Sequence, residues 1–99
     1  ISSAGFVFLG FLPHKKGRET IFKEIKESKR VCVFYESPHR LLKSLESMKD
    51  FENKKIIVIR EITKIFEETI SGKPSEVLEF FKNKQKILGE FVVIVDSGK

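Results

Sequence analysis

Tryptophan is absent from this chain, tyrosine and methionine occur once each, and one cysteine, Cys32, stands alone among 99 residues. A single cysteine excludes an internal disulfide framework, and the two well-separated histidines, His14 and His39, leave too few ligands for a structural zinc site. A reducing, cytoplasmic setting is therefore expected. Long apolar runs are also missing. The longest, Ala4 to Leu12, has nine residues, whereas a membrane-spanning helix takes roughly 20. It lacks the basic lead-in and small-residue cleavage site of a signal peptide. No glycine-rich nucleotide fingerprint occurs either: Gly5, Gly10 and Gly17 match neither G-x-G-x-x-G nor a P-loop. Internal repeats, low-complexity tracts and linkers are absent.

What remains is ordinary globular material, 40% hydrophobic and 33% charged, with phenylalanine supplying ten of the eleven aromatic residues. A chain of this length makes one domain and buries roughly two thirds of its unfolded surface. The net charge is +5, and most of the excess lies between His14 and Arg30. There Lys15, Lys16, Arg18, Lys23, Lys26, Lys29 and Arg30 face only Glu19, Glu24 and Glu27. Such a cluster attracts phosphates. It serves equally as a solvated helix face, with Glu19 and Lys23 as an i,i+4 pair. The chain opens at Ile1, without an initiator methionine and directly before an apolar run, which suggests a piece of a longer protein.

Four short apolar segments read as buried strands: Phe6 to Leu9, Val31 to Tyr35, Ile56 to Ile59 and Phe91 to Val95. Their near-continuous hydrophobicity predicts a sheet covered on both faces. Three helical patterns lie between them, marked by Ile21, Phe22 and Ile25, by Leu41, Leu42, Leu45 and Met48, and by Val77, Leu78 and Phe81. Ser37 is a candidate cap for the second helix, with Pro38 in its first turn, and Pro74 with Ser75 opens the third. Phe66 to Ile70, closed off by Gly72 and Pro74, adds an edge strand. The order is β-α-β-α-β-β-α-β. It predicts an α/β layered domain with a mixed, mostly buried sheet of about five strands and three helices, because the short step from Ile59 to Phe66 suits antiparallel neighbours.

Open α/β sheets bind ligands at strand ends, and three polar clusters fall there. Gly10-Phe11-Leu12-Pro13-His14-Lys15-Lys16-Gly17-Arg18 leaves the first strand. It reads either as a loop over which an anion is held or as a β-to-α turn with solvated lysines. Tyr35-Glu36-Ser37-Pro38-His39-Arg40 puts Tyr35 and Glu36 at the sheet rim and His39 and Arg40 in a first helical turn, where a hydroxyl or phosphate can be held. As a plain helix start, the same residues need no ligand. Arg60-Glu61-Ile62-Thr63-Lys64, followed by Glu67 and Glu68, carries alternating charges that can simply pair. Cys32, between Val31 and Val33, reads as a small core residue rather than a nucleophile.

Taken in order, GFLPHKKGR, VFYESPHRLLKSL, REITKIFEETISG and GEFVVIV closely resemble the C-terminal half of a bacterial family of small-subunit ribosomal RNA methyltransferases within the tetrapyrrole methylase superfamily. The resemblance runs from the first strand to the last; Ile62, where leucine is usual, departs from it slightly. It implies the C-terminal domain of the tetrapyrrole methylase fold over residues 1–99, with the N-terminal half and its glycine-rich cofactor loops lacking. It implies transfer of a methyl group from S-adenosylmethionine to the ribose 2'-hydroxyl of a cytidine in small-subunit ribosomal RNA, by a homodimer of the full-length protein, with the fragment inactive alone. By position, the backbone near Tyr35, Glu36, Ile62 and Thr63 is expected on the cofactor side. Lys15, Lys16, Arg18, His39 and Arg40 are expected to face RNA phosphates. Glu36 as proton acceptor and Lys64 as electrostatic support are the expected catalytic groups. Two other functions compete: a tetrapyrrole (precorrin-like) methyltransferase, and a non-catalytic RNA-binding or dimerisation module.

Overall fold

The apolar segments pair into one sheet, and each helical stretch folds back along it. The computed structural model describes residues 5–61 and 67–97. Its elements are β1 (Phe6–Phe11), α1 (Arg18–Glu27), β2 (Val31–Glu36), α2 (Pro38–Met48), β3 (Lys55–Glu61), β4 (Glu67–Gly72), α3 (Pro74–Lys82) and β5 (Glu90–Asp96). Their order is the expected one, and the strands run one or two residues beyond the apolar stretches that mark them. Of the expected edge strand, Phe66 lies outside the described residues.

The strands lie side by side as β1-β2-β5-β3-β4. β1 and β2 are parallel and joined through α1. The other neighbouring pairs are antiparallel, including β3 with β4 across their short connection. The sheet is mixed, as expected. In the parallel pair the C-terminal ends of both strands emerge at the same edge, so the loop after β1 and the start of α2 stand next to each other. A register shift between Phe8 and Gly10 bends β1. Gly10 takes φ 67° there, a left-handed conformation that glycine adopts without a Cβ penalty.

Helical spacing turns Phe22 and Ile25 of α1, Leu41, Leu45 and Met48 of α2, and Val77, Leu78 and Phe81 of α3 inward. They meet Cys32 and Phe34 of β2, Ile56 and Val58 of β3, and Phe91, Val93 and Val95 of β5 in one core. Cys32 is thus a core residue. Pro38 and Pro74 sit at the first helical positions as expected. The Ser37 hydroxyl, however, makes no capping bond. Its carbonyl instead accepts the amides of Arg40 and Leu41 at 3.1 and 3.0 Å. At α3 the cap position is Lys73, whose amide donates to Glu76 Oε1 at 2.9 Å.

The expectation of a sheet covered on both faces is corrected here. Along β2, β3 and β5, alternate residues belong to the helix-side core, while Tyr35, Ile57, Ile59, Val92 and Ile94 point to the other face and stay partly or largely exposed. Val33 is buried on this second face without joining the helix-side core. Both faces are apolar, so the strands read as continuous hydrophobic runs, yet the described helices cover only one of them.

Candidate functional site

At the edge where β1, β2 and β3 end and β5 begins, a cleft of about 880 Å³ opens, in the position where open α/β sheets take ligands. Phe11 and Tyr35 form an aromatic wall, with ring centroids 5.3 Å apart. Phe8 packs edge-on against Tyr35 at 5.2 Å. Ser37 and Pro38 make the rim beside them, and Ile59, Phe91 and Val92 the apolar floor. Gly89 closes the floor for a steric reason. It adopts φ 106°, and a Cβ there would stand 2.7 Å from the Glu61 carbonyl oxygen.

Across the floor runs a row of carboxylates. Glu61 of β3 is directly opposite Glu67 of β4 on one side and Glu90 of β5 on the other; all three are exposed and line the cleft. Like charges opposite one another in a sheet repel, and a cation among them relieves that repulsion. The sequence reading missed this row. Glu61 and Glu67 flank one short connection and so are legible as neighbours. Glu90 joins them only because β5 inserts between β2 and β3. The expected charge pairing nearby is present between Arg60 and Glu68, at 2.7 Å.

The basic residues stand at the same edge. His14, Lys15 and Lys16 are exposed on the loop after β1; His39 is exposed and Arg40 partly so in the first turn of α2. Arg18 is a correction: it does not face outward with the lysines but is buried, at 7% exposure. Its Nη2 donates to Ser44 Oγ at 2.9 Å and its Nη1 to the Pro13 carbonyl at 3.3 Å. Its guanidinium carbon lies 4.9 Å from the Phe22 ring centre. Burial lowers its proton affinity and repulsion from Arg40 adds to that, while attraction to Glu36 acts the other way. Glu36 is also buried, at 5%. One of its oxygens accepts a hydrogen bond from the Ser44 hydroxyl, the other the Ser37 amide at 3.0 Å. Ile62, Thr63 and Lys64, the remaining expected site residues, lie outside the described residues. Among the described residues no three or more His, Cys, Asp or Glu side chains are placed so as to hold a metal ion, the carboxylate row included, and no helix is long and apolar enough to cross a membrane.

No family model matches the chain. Single proteins do. The chain is 42% identical to the ribosomal RNA small subunit methyltransferase I of Thermotoga maritima over 95% of its own length and 42% of that protein's. To the proteins of the same name from Vibrio cholerae and Escherichia coli O157:H7 it is 41% and 42% identical over its whole length, covering 37% and 38% of theirs. The chain thus spans about two fifths of the length of the curated relatives it matches.

Proposed function

We propose that this chain, homologous along nearly its whole length to part of the ribosomal RNA small subunit methyltransferase I proteins, contributes the RNA-facing and one cofactor-facing wall of such a methyltransferase. The observation that carries the reading is the juxtaposition at one sheet edge of an acid-lined aromatic cleft with an exposed basic loop. The two surfaces suit the two reactants. A row of carboxylates beside Tyr35 and Phe11 favours a cationic ligand. Lys15, Lys16, His39 and Arg40 favour phosphates.

S-adenosylmethionine fits that donor set, since its sulfonium is cationic and its adenine offers a flat apolar surface; when bound, it supplies an electrophilic methyl group. The chain's own part is to hold and align. The backbone at Tyr35 and Glu36 borders the cofactor side, a role that the resemblance also gives to Ile62 and Thr63, and the lysines fix the RNA strand so that a cytidine ribose 2'-hydroxyl approaches in line. Alignment of this kind contributes more to rate than assistance with the proton, which is typically worth about 10²- to 10⁴-fold. Lys64 is retained as electrostatic support. Glu36 is buried at 5% and its oxygens are already turned to Ser37 and Ser44, which leaves a substrate hydroxyl little access to it. A cytoplasmic homodimer of a longer chain completes the proposal.

The test is a chimera in which residues 1–99 replace the matching part of the Thermotoga maritima relative, supplied with methyl-labelled S-adenosylmethionine and small-subunit ribosomal RNA. Label should enter the RNA and survive in alkali-resistant dinucleotides, because a methylated 2'-oxygen cannot attack the adjacent phosphate. Label on a base, or a folded chimera that methylates a tetrapyrrole and leaves RNA unlabelled, contradicts the reading.

A further inference from the structure

Three polar or charged side chains are buried among the described residues, Arg18, Glu36 and Ser44, and they form a single connected chain. The Ser44 hydroxyl, at 0% exposure, stands in the middle. It accepts from Arg18 Nη2 and donates to Glu36 Oε2, which fixes the direction of its one proton. Each end of the chain is tied to backbone. Arg18 Nη1 reaches the carbonyl of Pro13, where the basic loop begins, and Glu36 Oε1 takes the amide of Ser37, where the cleft rim turns into α2.

We propose that Arg18, Ser44 and Glu36 are a buried bracket that sets the basic loop in register with the cleft rim, Arg18 and Glu36 being positioning residues rather than a phosphate contact and a proton acceptor. The loop from Pro13 to Arg18 is held at both ends, by the Arg18 side chain on the Pro13 carbonyl and by the Arg18 amide on the Lys15 carbonyl at 3.1 Å. Lys15 and Lys16 are exposed between these ties. The other end of the bracket holds the strand that presents Tyr35 to the cleft and the turn that starts His39 and Arg40 on α2. Buried charges joined in this way add little net stability relative to apolar replacements, and removing one leaves its partner uncompensated. What the arrangement supplies is geometry. Two groups with opposite charge, 18 positions apart in sequence, can meet through one hydroxyl in only a narrow range of loop placements.

Two measurements on the 99-residue chain test the bracket, and only the second rests on the RNA reading above. The first is native-state trypsin cleavage after Lys15 and Lys16, followed by mass spectrometry at a temperature where circular dichroism shows each variant folded. Ser44→Ala removes the middle link with little change of volume, and Glu36→Gln keeps the shape while removing the charge. Ser44→Ala should speed loop cleavage about tenfold or more, Glu36→Gln should lie between it and the parent, and Glu46→Gln, exposed on the same helix, should match the parent. Unchanged protection in folded Ser44→Ala and Glu36→Gln overturns the bracket.

The second is the salt dependence of binding to a small-subunit ribosomal RNA oligonucleotide. Lys15→Ala should reduce the slope of log affinity against log salt by about one. Ser44→Ala and Arg18→Ala should weaken binding with the slope kept, since neither parent side chain reaches a phosphate. A slope reduced by about one in Arg18→Ala makes Arg18 a phosphate contact and refutes its positioning role. Faster loop cleavage in Ser44→Ala combined with no RNA binding by the parent chain leaves the bracket supported and removes the RNA reading instead.

Discussion

Ile57 and Val58 are neighbours on the same interior strand, β3, both aliphatic, and they lie on opposite faces of the sheet. Val58 is at 0% exposure against the helices, with Ile56, Phe34 and Val93 beside it. Ile57 shares the other face with Ile59, Val92, Ile94 and Tyr35, which the described helices leave uncovered. The difference shows that burial here is decided by where the helices dock and not by how apolar the strand is. It also separates stability from recognition. The covered face holds the fold together, while the open face supplies Tyr35, Ile59 and Val92 to the cleft at its edge.

The covered side is the more sensitive of the two. Phe34→Ala empties a site that is wholly enclosed and should cost about 3–5 kcal/mol, read from the denaturant midpoint at unchanged slope. A loss under about 1 kcal/mol would mean that the helix layer is not closely packed. Gly89→Ala comes next. The added methyl meets the Glu61 carbonyl, and the backbone conformation disfavours any side chain, so about 2 kcal/mol or more should be lost. The effect should centre on the cleft floor, seen as faster amide exchange in the first residues of β5.

Val58→Thr and Ile57→Thr place the same hydroxyl on the covered and the open face. The first buries a hydroxyl among helices and should cost about 1–3 kcal/mol, the second less than about 1 kcal/mol; equal costs would show that the two faces are equally covered. Tyr35→Ser removes the ring that joins Phe8 and Phe11. It should cost about 1 kcal/mol while weakening S-adenosylmethionine binding by the chimera. The smallest effect belongs to a surface far from either role. Lys49 holds the exposed Glu46 carboxyl below its usual range through a hydrogen bond, so this pair adds stability above the carboxylate's normal titration. That contribution fades as pH falls through the lowered value. Glu46→Gln should therefore leave the neutral-pH midpoint nearly unchanged and slightly flatten its acid dependence.

The linear pattern carried the secondary structure well because its signals are local. Apolar runs bounded by charge marked the strands, i,i+4 spacing marked the helices, and Pro38 and Pro74 marked two helix starts. The strand-end location of the cleft was legible for the same reason, since polar clusters at Gly10 to Arg18 and Tyr35 to Arg40 follow directly on apolar runs. Arg18 was misread because a cation beside Lys15, Lys16 and Gly17 looks solvated. Nothing local indicates that a serine on α2 and a carboxylate on β2 await it inside. The carboxylate row escaped notice because strand order has no period in the sequence.

By itself, then, the sequence determined that this is an α/β domain with a mixed sheet, which segments are strands and helices, and where basic and aromatic side chains gather along the chain. Those properties follow from local propensity and periodicity, each set by residues a few positions apart. Tertiary structure alone decided that β5 enters between β2 and β3, that the helices cover one apolar face and leave the other, and that Arg18 turns inward to Ser44 and Glu36. These depend on contacts between segments tens of residues apart, whose free energies become defined only when the whole core closes.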